Sequence, residues 1–291
     1  MMVYFALLLA GIASGFLAGL LGIGGGFVMV PVLILLLPTL GIDPGLVPKV
    51  AVATSLAAMV PTVCSAVLAQ YQRGTLDISW VRRLAPAAAS GAAIGSQLAA
   101  AVSGRWVAIV FALYAGCIAL KMLRGSAIAP QAAGRAARVI GALPIPLVGA
   151  LIGAFSSIAG VGGASLTVPF LLSARVEMKR ALAVSSAVGL AIALAGGAGF
   201  ATASPGFLSA GSSALVGLIH WPAALMIAVS ATLFAPRGVS VAHMLPVVQL
   251  KRAFAVVLIS ACVMTLSKVA NTTGLVDYVA VSAVAKVVGR N

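Results

Sequence analysis

The chain has 291 residues, of which 62% are hydrophobic and 8% are charged, and its mean hydropathy is +1.20. Soluble domains carry about 25% charge, so this composition excludes a soluble enzyme and a secreted disulfide scaffold. Eighteen charges are Lys or Arg and four are acidic, for a net +14. The basic residues interrupt long apolar runs, which is the layout of a polytopic membrane protein rather than of a nucleic-acid binder.

A transmembrane helix needs roughly 20 apolar residues. Charge is absent from 1–42, 50–72, 84–104, 106–120, 139–174, 181–236, 238–250 and 253–267. The pattern predicts helices over about 3–20, 26–37, 50–70, 84–102, 106–123, 140–159, 164–173, 181–203, 215–234 and 252–268. The split within 181–236 falls near Ser204-Pro205-Gly206, a turn signal. Segments 26–37 and 164–173 are too short to cross and read as half-helices or re-entrant pieces. The tail 271–291 reads as a short final span, over 275–288, or as an interfacial helix. The first apolar run lacks a basic flank and continues to Leu37, which argues against a cleaved signal peptide. Cys64, Cys117 and Cys262 fall inside predicted spans without pairing spacing and read as small packing residues.

An internal repeat organises the chain. Gly22-Ile23-Gly24-Gly25-Gly26-Phe27-Val28-Met29-Val30-Pro31 matches Gly160-Val161-Gly162-Gly163-Ala164-Ser165-Leu166-Thr167-Val168-Pro169, at an offset of 138. Further on, Lys49 to Ser55 matches Arg180 to Ser186; more weakly, Trp80 aligns with Trp221, and 106–123 with 251–268. The copies are 1–125 and 139–270, joined by a polar, basic linker at 126–138. Arg73, Arg82 and Arg83 follow the Thr54-Ser55 helix, whereas Arg175, Lys179 and Arg180 precede the Ser185-Ser186 helix. Under the positive-inside rule the copies therefore run in opposite directions, the plan of many secondary transporters.

In such a protein the site is expected near the midplane, at broken helices. Each glycine cluster splits an overlong run and is followed by a short helix that reaches Pro31 or Pro169. Backbone N–H groups at Gly24, Gly25, Gly162 and Gly163 would face a small anion from two half-helix N-termini. Thr54, Ser55, Ser185 and Ser186 would add hydroxyls. Two bland readings stay open: small-residue helix packing for the glycines, and bonds to the i−4 carbonyl for the hydroxyls. Lys49 and Arg180, at equivalent helix ends, would attract or gate the anion, or simply snorkel. Gln97 would line the path or bond a neighbouring helix. His220 would sit at an interface or shuttle protons. No constellation supports an enzyme, a dinucleotide site, a metal or another cofactor.

These glycine motifs, with Ala53-Thr54-Ser55-Leu56 and Arg252-Ala253-Phe254, resemble the sulfite exporter TauE/SafE family of membrane permeases. The resemblance covers about 5–270 and implies an all-α, multi-pass permease of the bacterial inner membrane for sulfur-containing anions such as sulfite, sulfoacetate or other organosulfonates. Ala164 stands where the first copy has Gly26, and Ser185-Ser186 where it has Thr54-Ser55, so the half-sites are unequal. Alternating access is the expected mechanism, with an anion channel or a non-transporting scaffold or sensor as alternatives. The expected partners are the anion and lipid, with no nucleic acid and with homo-oligomerisation left open. Asp43, Asp77 and Glu177 fall in predicted loops and Asp277 in the tail, so the predicted core holds no carboxylate for proton or sodium coupling.

Overall fold

The computed structural model describes residues 2–21, 25–123, 144–203, 214–242, 258–260, 262, 263 and 265. The predicted linker at 126–138, the tail 271–291, and Gly22 and Gly24 lie outside the described residues.

An unbroken apolar sequence builds α1, Met2–Leu21. The chain restarts at Gly25, whose φ of 72° is left-handed, and α2 runs over Gly26–Leu36. A 3₁₀ turn, Leu37–Leu40, is closed by Gly41 at φ 81°. Then come α3 (Val47–Gln72), α4 (Ile78–Ala101) and α5 (Gly104–Leu123). The second copy gives α6 (Ile145–Ala159), α7 (Ala164–Ser173), α8 (Met178–Thr202) and α9 (Trp221–Ala242). Leu258 to Ser260 are again helical.

The predicted helix over 215–234 begins later than its hydropathy suggests. Residues Leu215–Val216 (β1) and Ile219–His220 (β2) form an antiparallel hairpin, with Leu215 opposite His220 and Val216 opposite Ile219. Gly217 supplies the left-handed turn residue, at φ 57°. The Leu218 N–H then donates to the Phe200 carbonyl at 3.1 Å, pinning the hairpin to the end of α8. An apolar Leu-Val-Gly-Leu-Ile stretch satisfies a hydropathy window in either conformation, and the glycine decides between them.

α3 and α8 are each long and apolar enough to cross a bilayer. α2 and α7 have 11 and 10 residues, roughly 15 Å of helix, about half of a hydrocarbon core. Phe5, Leu9, Ile94, Leu98, Leu113, Leu225, Val229 and Leu233 are 50–65% exposed. So many outward apolar side chains on the outer helices suit lipid contact and not water. α3 instead buries Val50, Ala51, Ala53, Leu56 and Met59 completely.

The two copies exchange packing partners. α1 lies along α9, and its counterpart α6 lies along α4. Small residues permit both close approaches. Gly11 and Gly15 press α1 onto Ile227, Ser230 and Ala231. Their 138-offset equivalents Gly149 and Gly153 press α6 onto Leu84, Ala87 and Ala88. A Cβ at Gly11, Gly15 or Gly153 would overlap the facing helix. This small-residue pattern drives helix association where lipid removes the hydrophobic incentive. α3 packs on α8 in the middle, each also touching the other copy's α9 or α4.

Candidate functional site

Both short helices start from the same backbone device. Gly25 has φ 72° and ψ −10°, and Gly163 has φ 72° and ψ −14°. Side chains rarely adopt this conformation, so glycine is the residue that can turn the chain here. The Gly25 carbonyl accepts from Val28 and Met29 at 3.0 and 3.2 Å; the Gly163 carbonyl accepts from Leu166 and Thr167 at 3.1 and 2.9 Å. The first-turn amides of Ala164 and Ser165 precede the helical ladder, as at any helix start.

The two breaks touch. Gly26 lies so close to the Gly160 carbonyl that a Cβ there would overlap it. Ser55 Oγ, from α3, donates to the same carbonyl at 3.0 Å and to its own Val52 carbonyl at 2.8 Å. On the other side, Gly189 of α8 packs onto the Gly162 carbonyl. Beside this junction is a cavity of about 10 Å³, lined by Ala18, Thr62, Val63, Gly162, Ser186 and Gly189 among others. That is about the room one water needs.

The remaining sequence-predicted residues are spread around this junction in different roles. Thr54 is fully buried, and its Oγ1 accepts from the His220 backbone N–H at 3.0 Å. Ser185 and Ser186 both donate to the Leu182 carbonyl, at 2.8 and 3.1 Å. Lys49 is buried, and its Nζ donates to the Ala100 carbonyl at 2.7 Å, capping the C-terminal end of α4. Arg180, its sequence equivalent, is exposed. Gln97 Nε2 donates across to α8, to the Gly199 carbonyl at 2.8 Å and Thr202 Oγ1 at 3.3 Å. His220 is buried, and its Nδ1 accepts from the Ala223 N–H at 3.2 Å, so it caps α9. The corresponding cap on α4 is Asp77, which accepts from the Ser79 N–H at 3.0 Å and Ser79 Oγ at 2.7 Å. The Ser79 hydroxyl, chiefly, holds the Asp77 carboxyl below its ordinary value. Among the described residues no three His, Cys, Asp or Glu side chains converge as a metal ion would require.

Sequence reasoning missed a second set of residues. The Tyr114 ring, from α5, stacks on Phe27 with centroids 5.6 Å apart and planes at 17°. Its hydroxyl is hydrogen-bonded to Ser165 Oγ. Phe27 and Ser165 are the second residues of α2 and α7, so one tyrosine touches the start of both short helices. Ser156 and Ser157 are fully buried at the end of α6, and neither Oγ has a hydrogen-bond partner. Phe27 and Ser165 lie inside the repeated glycine motif at a position where its two copies differ, and Tyr114, Ser156 and Ser157 stand in no motif. Comparing the copies at the 138 offset would have singled out Ser165 against Phe27 and Ser156 against Ala18.

An apolar helical protein with two glycine-broken helices meeting inside it belongs among membrane transporters by its construction. The Sulfite exporter TauE/SafE family matches residues 7–265, and the chain belongs to that family. A "Probable membrane transporter protein" of Haemophilus influenzae is 32% identical over 255 residues, 87% of this chain and 94% of the relative. A protein of the same description from Xylella fastidiosa is 32% identical over 163 residues, 55% of this chain and 59% of the relative. No solved structure matches significantly. The chain is a membrane transporter of the TauE/SafE type.

Proposed function

We propose that this transporter is a permease that moves a small sulfur-containing anion, such as sulfite, sulfoacetate or another organosulfonate, across the bacterial inner membrane. The two copies act as inverted repeats in alternating access, and α2 and α7 are half-helices ending near mid-membrane. The observation that carries this reading is the contact between the two breaks, where Gly26 rests on the Gly160 carbonyl. It places the N-terminus of α2 against the break that leads into α7, and each short helix carries roughly half a positive charge at its N-terminus from its aligned peptides. A low-dielectric site with two such ends favours an anion without needing a lysine or arginine. The absence of carboxylates from the predicted core helices fits the same charge preference.

A carrier is favoured over an open anion filter by the cavity at the junction. Its roughly water-sized volume is too small for a sulfur oxyanion, so a substrate enters only if the copies move apart. The test is counterflow in proteoliposomes with labelled sulfite and sulfoacetate. Saturable uptake, stimulated by unlabelled substrate on the far side, is expected. Flux that rises linearly with concentration and shows no trans-stimulation would make the protein a channel. Gly25→Leu and Gly163→Leu proteins that insert normally and transport at the parent rate would remove the glycine breaks from the mechanism.

A further inference from the structure

At three places the copies put opposite chemistry in equivalent positions. Ser165 stands against Phe27, and Ser156 against Ala18, at the offset of 138. Aligning 106–123 with 251–268 sets Tyr114 against Ile259. The three hydroxyls come together in the structure. Tyr114 is bonded to Ser165, and Ser156 neighbours the Tyr114 hydroxyl. Ser156 is 0% exposed, and beyond its approach to the Tyr114 hydroxyl its Oγ has no well-formed hydrogen bond among the described residues. That Oγ lies 3.3 Å from where a Cβ on Gly163 would stand, so it points at the cap of α7. Buried hydroxyls are nearly always partnered, and an orphan at the start of a helix calls for a polar occupant. The first-turn amides of Ala164 and Ser165 are the remaining donors there.

We propose that Tyr114, Ser156 and Ser165 are substrate-contact residues that hold the anion's oxygens at the N-terminus of α7. Phe27 forms an apolar wall on the α2 side, so the grip is one-sided. In the structure one hydroxyl of the Tyr114–Ser165 pair donates to the other. An oxyanion entering between them accepts from both, and from Ser156, and the pair separates. Phe27 keeps Tyr114 in place through their stacking while its hydroxyl changes partner. The inference rests on the permease reading and assigns that site's ligand contacts to one of its two halves.

The test is calorimetric titration of the purified full chain in nanodiscs with sulfite and, separately, with methanesulfonate, alongside ligand-free thermal unfolding. Ser156→Ala and Tyr114→Phe are each expected to weaken binding about tenfold, the usual loss for a hydroxyl donating to a charged ligand. Ser156→Ala is expected to change ligand-free unfolding by less than about 1 kcal/mol, because its hydroxyl makes no well-formed hydrogen bond among the described residues. Unchanged affinity in Ser156→Ala and Tyr114→Phe overturns the assignment. If the parent protein binds neither anion, the permease reading itself fails, a result distinct from binding that the variants do not alter.

Discussion

α2 and α7 leave the same glycine cap and become different surfaces. Gly25 and Gly163 share one backbone conformation, yet the next residue is Gly26 in one copy and Ala164 in the other. Gly26 is pressed against the Gly160 carbonyl, whereas Ala164 carries its methyl buried in the core. One residue later Phe27 stacks on Tyr114, and Ser165 bonds the same tyrosine. The two segments share one backbone frame and diverge within a residue or two of it: α2 meets the other break, and α7 offers a hydroxyl.

The division can be broken by making the copies alike. Gly26→Ala introduces a methyl into a backbone carbonyl, which cannot move aside as a side-chain end can. A loss of about 3 kcal/mol or more is expected, whereas Ala164→Gly should cost under about 1 kcal/mol. Thermal unfolding in detergent measures both, and equal losses would dissolve the asymmetry. Next in size is Thr54→Val, which strips the buried His220 N–H of its acceptor. It should cost about 1–3 kcal/mol, with faster amide exchange confined to the hairpin. Its equivalent Ser185→Ala loses only a bond within its own helix and should stay within about 0.5 kcal/mol.

Ser55→Ala should cost about 1 kcal/mol, because it unties α3 from the Gly160 carbonyl. Ser186→Ala severs no hydrogen bond between helices among the described residues, and a larger loss there would reverse the ranking. Lys49→Met removes the cap on Ala100 and should cost about 0.5–1 kcal/mol; Arg180→Met, at an exposed position, should be silent by the same measurement. Asp77 gives the smallest effect, being half-buried at the helix start with solvent around its carboxylate. Its folded value is lowered, so its stabilisation is present above the ordinary carboxylate range and is lost as pH falls through the lowered value. Asp77→Asn should narrow the difference in unfolding temperature between neutral and acid pH; an unchanged or wider difference would count against the cap.

Charge-free runs and glycine clusters were enough to place the helices, because lipid imposes length and polarity directly on sequence. Predicted segments 26–37 and 164–173 coincide closely with Gly26–Leu36 and Ala164–Ser173. The start of α9 was not legible, since hydropathy treats a buried hairpin and a helix alike and only the φ of Gly217 separates them. Among the site residues, the glycines stood out because a left-handed cap excludes other side chains. The partners of Thr54 and Ser55 lie 166 and 105 residues away, and no local pattern announces such pairings. Tyr114 was invisible for the same reason. Its significance comes from touching two helices in different copies.

The exchange of partners between copies also bears on how the protein is made. Gly15 and the Ala231 it packs against are separated by roughly 200 residues, about 10–40 s of synthesis at ribosomal speed. During that interval the glycine face of α1 has no partner helix, and α4 likewise waits for α6. Neither copy can complete itself. A chain stopped after α5 would therefore leave two open seams, the glycine face of α1 and the surface of α4 that receives α6.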